Sequence, residues 1–313
     1  MMNFRNNLNN YKNHLINNFE SNDGNNLLNK AQKHYLKGNF KACIKLCEQF
    51  QGSEKNKALS RVLIAACTNN PEEQYFELIA ALELDPGCAN AYFALGQYYF
   101  DKENFTEAID CYKKHLNLIE SEVGYIQIIN SYIRINNYNY AHLYACDGKR
   151  KFSNSSEINF LLAAILVDAP ADTLSSAEFT DVIKYLSIAE KGGIEKENIL
   201  YYEGIYYYNK MEYQNAIKPL NLYLAINSEN STLRWYHIVS LHNAGFLIDF
   251  LGFLFKEYYA KVSIAIDYVE KYNFLDFEDE IHNGELTEEQ QDDLLNRINE
   301  RMKNVVNNLI CNY

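Results

Sequence analysis

Proline and glycine are scarce, at 4 and 13 in 313 residues. A β-rich chain punctuated by tight turns needs more of both, so the scarcity points toward helices. Positive charge is also short, with 29 Lys and Arg against 41 Asp and Glu and a net charge of −12. Nucleic acid and anionic membrane surfaces require a positive face and are therefore poor partners. No apolar run is long enough to cross a bilayer: the greasiest, Phe246 to Phe255, is about ten residues and contains Asp249. The start, Met1 to Asn10, lacks the apolar core of a secretory signal. The cysteines (Cys43, Cys47, Cys67, Cys88, Cys111, Cys146 and Cys311) are odd in number and have no disulfide-framework spacing. A reduced, cytoplasmic compartment is the expectation.

Recognisable catalytic chemistry is missing too. No GxxxxGK[ST] loop, HExxH or GxSxG motif occurs. Cys43 and Cys47 lie four apart, as do His142 and Cys146, so each pair could face one ion on a helix. The first pair fits small buried core positions better, and the second has no companion pair. The expectation is a protein with no metal, no cofactor and no enzymatic activity. The Lys149-Arg150-Lys151 run suits the negative end of a helix dipole.

What is present is a folding chain, 48% hydrophobic and 22% charged, rich in Tyr (26) and Phe (17). One pattern returns four times: an aromatic, two variable residues, then a small residue. It reads Phe40-x-x-Cys43, Phe105-x-x-Ala108, Tyr138-x-x-Ala141 and Tyr213-x-x-Ala216. The small residues of the middle two are 33 apart, and the other gaps, 65 and 75, are near two such periods. Periods of this size mark stacked supersecondary units. Tyr92, Leu95, Gly96 and Tyr99 fall on one helical face, where Gly96 admits a close neighbour. A helix, a short polar turn and a second helix make a hairpin that must stack on others to bury its apolar face.

These residues resemble the tetratricopeptide repeat (TPR) family. Tyr92, Leu95, Gly96 and Tyr99 look like the family's first-helix positions, Phe105, Ala108 and Tyr112 like those of the second, and Asp85-Pro86 like a unit boundary. The match is strongest at 89–121, moderate at 24–53, 122–155 and 197–230, and degenerate at 54–88, 156–196 and 231–275. His115 departs from the pattern in place of a small residue, as does Glu203 in place of Leu. Pro219 is expected to interrupt and kink a second helix, and Asp168 to Phe179 to form a lengthened turn.

The fold class expected is all-α: a right-handed α-solenoid of stacked helix-turn-helix hairpins, with N- and C-terminal capping helices. An amphipathic helix over 1–22 carries Phe4, Leu8, Tyr11, Leu15 and Phe19. About seven hairpins follow over 24–275, then an acidic linker at 276–286. An amphipathic helix over 287–313 presents Leu294, Leu295, Ile298, Met302, Val305, Val306, Leu309 and Ile310, and is expected to cap the stack, the alternatives being a homodimer helix or one that docks in a partner's groove. The carboxylates from Asp276 to Asp293 account for −9 of the −12.

By the resemblance, the first helices line a concave groove. Its positions map to Asn90, Phe93, Gln97 and Phe100, then Ile126, Asn130, Ile133 and Arg134, and in the sixth unit Tyr201, Ile205, Tyr208 and Asn209. The lysines with which some family members grip a C-terminal carboxylate are replaced by Phe93, Ile126 and Tyr201. The resemblance therefore implies an adaptor or scaffold that binds a protein or peptide segment in an aromatic groove. The alternative is a rigid accessory subunit of an enzyme assembly, docking through its edges and terminal helices.

Overall fold

The structure, a computed structural model, describes residues 26–170 and 181–244. Among these residues thirteen helices follow one another and no strand occurs. They are α1 (Asn26–Leu36), α2 (Phe40–Glu48), α3 (Glu54–Cys67), α4 (Pro71–Leu84), α5 (Ala89–Asp101), α6 (Phe105–Leu118) and α7 (Glu122–Arg134). Then come α8 (Tyr138–Lys151), α9 (Ser156–Asp168), α10 (Val182–Lys191), α11 (Lys196–Asn209), α12 (Tyr213–Ile226) and α13 (Ser231–Asn243). The chain divides into two compact units, residues 1–194 and 195–313. The first holds α1–α10 and the second α11–α13. The expected helices over 1–22 and 287–313, the acidic linker, the Phe246–Phe255 run and most of the 168–179 turn lie outside the described residues.

In both units each odd helix pairs with the even helix after it. In the first unit each even helix up to α8 also packs on the next odd one, and in the second α12 packs on α13. Odd helices further touch odd helices: α1 and α3, α3 and α5, α7 and α9, and, in the second unit, α11 and α13. Each unit is thus a TPR-like stack of hairpins with its odd helices in one layer.

The aromatic-x-x-small pattern marks the first turn of an even helix in every case. Phe40, Phe105, Tyr138 and Tyr213 open α2, α6, α8 and α12. The small residues three places on, Cys43, Ala108, Ala141 and Ala216, are fully buried where the hairpin closes. Gly96 permits the same closeness from the odd side: a Cβ there would stand 2.6 Å from the Tyr112 ring.

The turns of these four hairpins share one backbone form. Three residues connect the helices, at 37–39, 102–104, 135–137 and 210–212. The middle residue takes a left-handed conformation: Gly38 (φ 74°), Glu103 (61°), Asn136 (56°) and Met211 (59°). The N–H groups of Asn39, Asn104, Asn137 and Glu212 reach back to the carbonyls of His34, Tyr99, Tyr132 and Tyr207, each at 2.9 Å. This satisfies helix-end carbonyls that would otherwise be orphaned.

Helix starts are set by short polar side chains. Ser53, Ser121 and Ser155 accept from the amides of Asn56, Gly124 and Ile158, and Asn70 accepts from Glu72 ahead of Pro71 at the first helical position. Two odd helices are enclosed on all sides, with Gly124–Tyr132 of α7 and Ile158–Val167 of α9 continuously buried.

Two departures from the family pattern resolve differently. Pro219 does not interrupt its helix; α12 runs unbroken from Tyr213 to Ile226 with Pro219 buried inside it. The ring costs one intrahelical hydrogen bond, while burial of Ala216, Leu220, Tyr223 and Leu224 on either side keeps the helix in place. His115 is fully buried in a small-residue position, and Gly124 of α7 makes room for it. A Cβ on Gly124 would stand 2.8 Å from His115 Cδ2 and 2.7 Å from Leu116 Cδ2. His115 Nδ1–H donates to the Ala89 carbonyl at 2.9 Å, which fixes the tautomer.

Candidate partner-binding face

The expected groove residues separate into three kinds. Asn90, Phe93, Ile126 and Asn130 are buried and present nothing to a partner, which corrects the expectation for these four. Phe93 turns into its own hairpin, its ring 5.6 Å from that of Tyr112 and 5.0 Å from that of His115. A bulky His115 in place of a small residue leaves an aromatic wall that Phe93 packs on. The side-chain oxygens of Asn90 and Asn130 are buried without a hydrogen-bond partner among the described residues.

Gln97, Phe100 and Ile133 are half-buried and Arg134 is exposed, so the C-terminal ends of α5 and α7 carry the accessible part of the first unit's set. Phe100 packs edge-on against Phe105 at 5.2 Å. The Arg134 guanidinium lies 4.9 Å from the Phe105 ring and 6.0 Å from the Phe100 ring, with Glu103 4.0 Å away. One exposed arginine thereby spans two neighbouring hairpins over an aromatic floor. Gln97 Nε2 donates to Asp101 Oδ1 at 2.8 Å. The packed surroundings of the Asp101 carboxylate raise its pKa, and the Gln97 hydrogen bond works the other way. Sequence reasoning missed Asp101, Glu103 and Phe105 as members of this patch.

In the second unit Tyr201, Ile205 and Tyr208 are half-buried against the α11–α13 core, and Asn209 is exposed. Tyr208 stacks on Tyr236 of α13 at 4.1 Å with the rings 17° apart. Tyr201 leans edge-on against Tyr223 of α12 at 5.6 Å. Tyrosine rings of α11 therefore meet those of both α12 and α13.

Even helices carry a different surface. Tyr140 and Leu143 of α8 are exposed, and Tyr132 is stacked between Tyr140 (5.2 Å, 15°) and Tyr144 (5.6 Å, 22°). The basic run ending α8 is fully engaged. Lys149 donates to the Tyr185 hydroxyl at 3.0 Å, Arg150 pairs with Asp147, and Lys151 pairs with Glu120 at 3.3 Å. His142 Nε2 and Cys146 Sγ, four apart in sequence, come within 3.4 Å. Among the described residues no group of three His, Cys, Asp or Glu side chains could hold a metal ion. No described helix is long and apolar enough to cross a membrane.

The hairpin order, the shared turn and the odd-helix layer define the TPR-like fold. Solved structures agree. The chain is similar to YrrB, a TPR protein with an unusual peptide-binding site, at 20% identity, covering 66% of this chain and 97% of that one with a TM-score of 0.50. It is similar to PilF of Pseudomonas aeruginosa at 15% identity, covering 66% and 92% with a TM-score of 0.53. A chain of the APC/C hetero-tetramer Cut9-Hcn1 matches at 15% identity and a TM-score of 0.51, covering 84% of this chain and 49% of that one, so this chain spans about half its length. No protein-family model and no curated protein matches the sequence. At these identities the likeness is one of fold.

Proposed function

We propose that this chain is a protein-interaction scaffold that holds a partner polypeptide on the odd-helix face of its first unit, at the ends of α5 and α7. The observation that carries the reading is Arg134, exposed and laid over Phe100 and Phe105 from the adjacent hairpin. Arginine and aromatic side chains dominate the binding energy of protein interfaces when they sit on a rigid floor. Gln97 and Asp101 beside them offer hydrogen bonds to an extended main chain. YrrB, similar in fold, is described by its peptide-binding site, and the Cut9-Hcn1 chain is part of an assembly; both kinds of use suit a stack of this form. No catalytic role is proposed.

A second reading, a rigid subunit docked through its outer surface, is favoured by exposed Tyr140 and Leu143 on α8. Selection of a displayed peptide library on the purified chain separates the two. Selected peptides should lose binding to a Phe100→Ala, Arg134→Ala variant and keep it with Leu143→Ser. Loss only with Leu143→Ser would transfer the site to α8, and loss with neither would sink both surfaces. Phe93→Asp is a poor probe because the ring is buried and the variant would unfold its hairpin.

A further inference from the structure

The exposed face of α8 carries a thiol beside an imidazole. Cys146 is exposed and unbridged, whereas the other five described cysteines are buried. Its Sγ lies 3.4 Å from Nε2 of His142, one helical turn earlier. Side chains at i and i+4 share a helix face, so the contact is built into α8 and needs no other element. With the ring proton on Nδ1, Nε2 accepts from the Cys146 thiol.

The charges around the pair leave room for an anion at Cys146. The neighbouring Asp147 carboxylate is occupied: it accepts from the Tyr125 hydroxyl of α7 and pairs with Arg150. Lys149 is held by the Tyr185 hydroxyl of α10 at 3.0 Å. Five residues of α8 follow Cys146, so it stands short of the last turn, where the negative helix end opposes a thiolate. A cysteine of ordinary ionisation is only a few per cent thiolate at neutral pH, and an adjacent base is what turns such a sulfur into a nucleophile.

We propose that Cys146 is a modification site for small disulfides of the glutathione type, with His142 as its base. A small disulfide suits the position because it brings the second sulfur with it, the other described thiols being buried. His142 takes the thiol proton, leaving a thiolate beside an imidazolium. The thiolate attacks one sulfur of glutathione disulfide; a new S–S bond forms and the S–S bond of the reagent breaks. The departing glutathione thiolate takes the proton from His142. Cys146 is oxidised, one glutathione is reduced, and no other oxidant is used. The adduct stands one turn from exposed Leu143 on the same helix, and so covers part of the surface of α8.

The reduced full chain is incubated with glutathione disulfide, quenched with acid, and its adducts mapped by mass spectrometry. The expected first product carries one glutathione on Cys146, formed at pH 7 roughly tenfold faster than in His142→Gln. At pH 10, where a thiol ionises unaided, the two proteins should react within about twofold of each other. A merely structural effect of the substitution would not produce that convergence. Cys88 and Cys111, both buried, are internal controls that should react only when urea unfolds the chain. Cys146 should do the reverse and slow on unfolding, because the helix that holds His142 against it is lost. This comparison decides the matter without a variant if His142→Gln fails to fold. Equal rates for wild type and His142→Gln at pH 7, a first adduct at another cysteine, an internal linkage between Cys146 and Cys311, or a Cys146 that speeds up on unfolding overturns the proposal.

Discussion

Replacing Met211 by glycine should make the protein more stable. Met211 is the middle residue of the α11–α12 turn, at φ 59°, and its side chain is 74% exposed. An L-residue held in the left-handed region costs about 1–2 kcal/mol. Glycine is free of that cost but loses about 0.5–1 kcal/mol more in backbone entropy on folding. The exposed methionine forfeits little burial, so the net gain is about 0.5–1 kcal/mol. Gly38 occupies the same place in the first hairpin at φ 74°, and a Cβ there would meet nothing within 4 Å. Gly38→Ala therefore tests the backbone alone and should cost a similar amount. Urea unfolding followed by far-UV circular dichroism would read both as midpoint shifts at constant slope. The two positions lie in different compact units, so each serves as a bystander for the other. A neutral or destabilised Met211→Gly together with a tolerated Gly38→Ala would refute the shared left-handed turn.

Three further outcomes follow from packing and ionisation. Gly124→Ala should cost about 1–3 kcal/mol by forcing a Cβ onto His115 and Leu116. The penalty should shrink in a His115→Ala background, which a double-mutant cycle on thermal stability would measure. Burial, with smaller contributions from Cys67 and Cys43, pushes the Tyr35 hydroxyl up to about 12 from 10.0. The folded-state value is raised, so this stability is complete below pH 10 and is lost as pH climbs toward 12, by up to about 2–3 kcal/mol. Tyr35→Phe should flatten the loss in urea titrations at pH 9 and pH 11. Ser155→Ala removes the buried cap that accepts from the Ile158 amide at 3.1 Å and should lower the melting transition by the equivalent of about 1 kcal/mol.

The hairpins were legible because burial and spacing are both local properties. An aromatic opening an even helix and a small residue one turn later record how closely two helices approach, and Phe105 with Ala108 says this without a structure. The left-handed turn was not legible as a shared feature, because only Gly38 and Asn136 suit it by residue type; Glu103 and Met211 adopt the same backbone against their own preference, held by the helices on either side. Positions carried over from the family do not tell which side chains the packing leaves accessible. Asn90, Phe93, Ile126 and Asn130 were assigned to an open surface, whereas His115 and the enclosed α7 take up that space. Gln97, Phe100, Ile133 and Arg134 remained accessible because they stand at the helix ends, beyond the tightest packing.

The fit of His115 against Gly124 also bears on how freely the hairpins could be shuffled. The third residues of the neighbouring odd helices α5 and α9, Ala91 and Ile158, are buried and carry side chains where Gly124 has none. A hairpin ending in His115 therefore accepts α7 as its successor and rejects α9 on volume alone. Each junction of this kind works as an address, so the order of units along the chain is written into the shapes of their shared walls. Circular rearrangement or deletion of a unit would mismatch these addresses even where every hairpin remained intact.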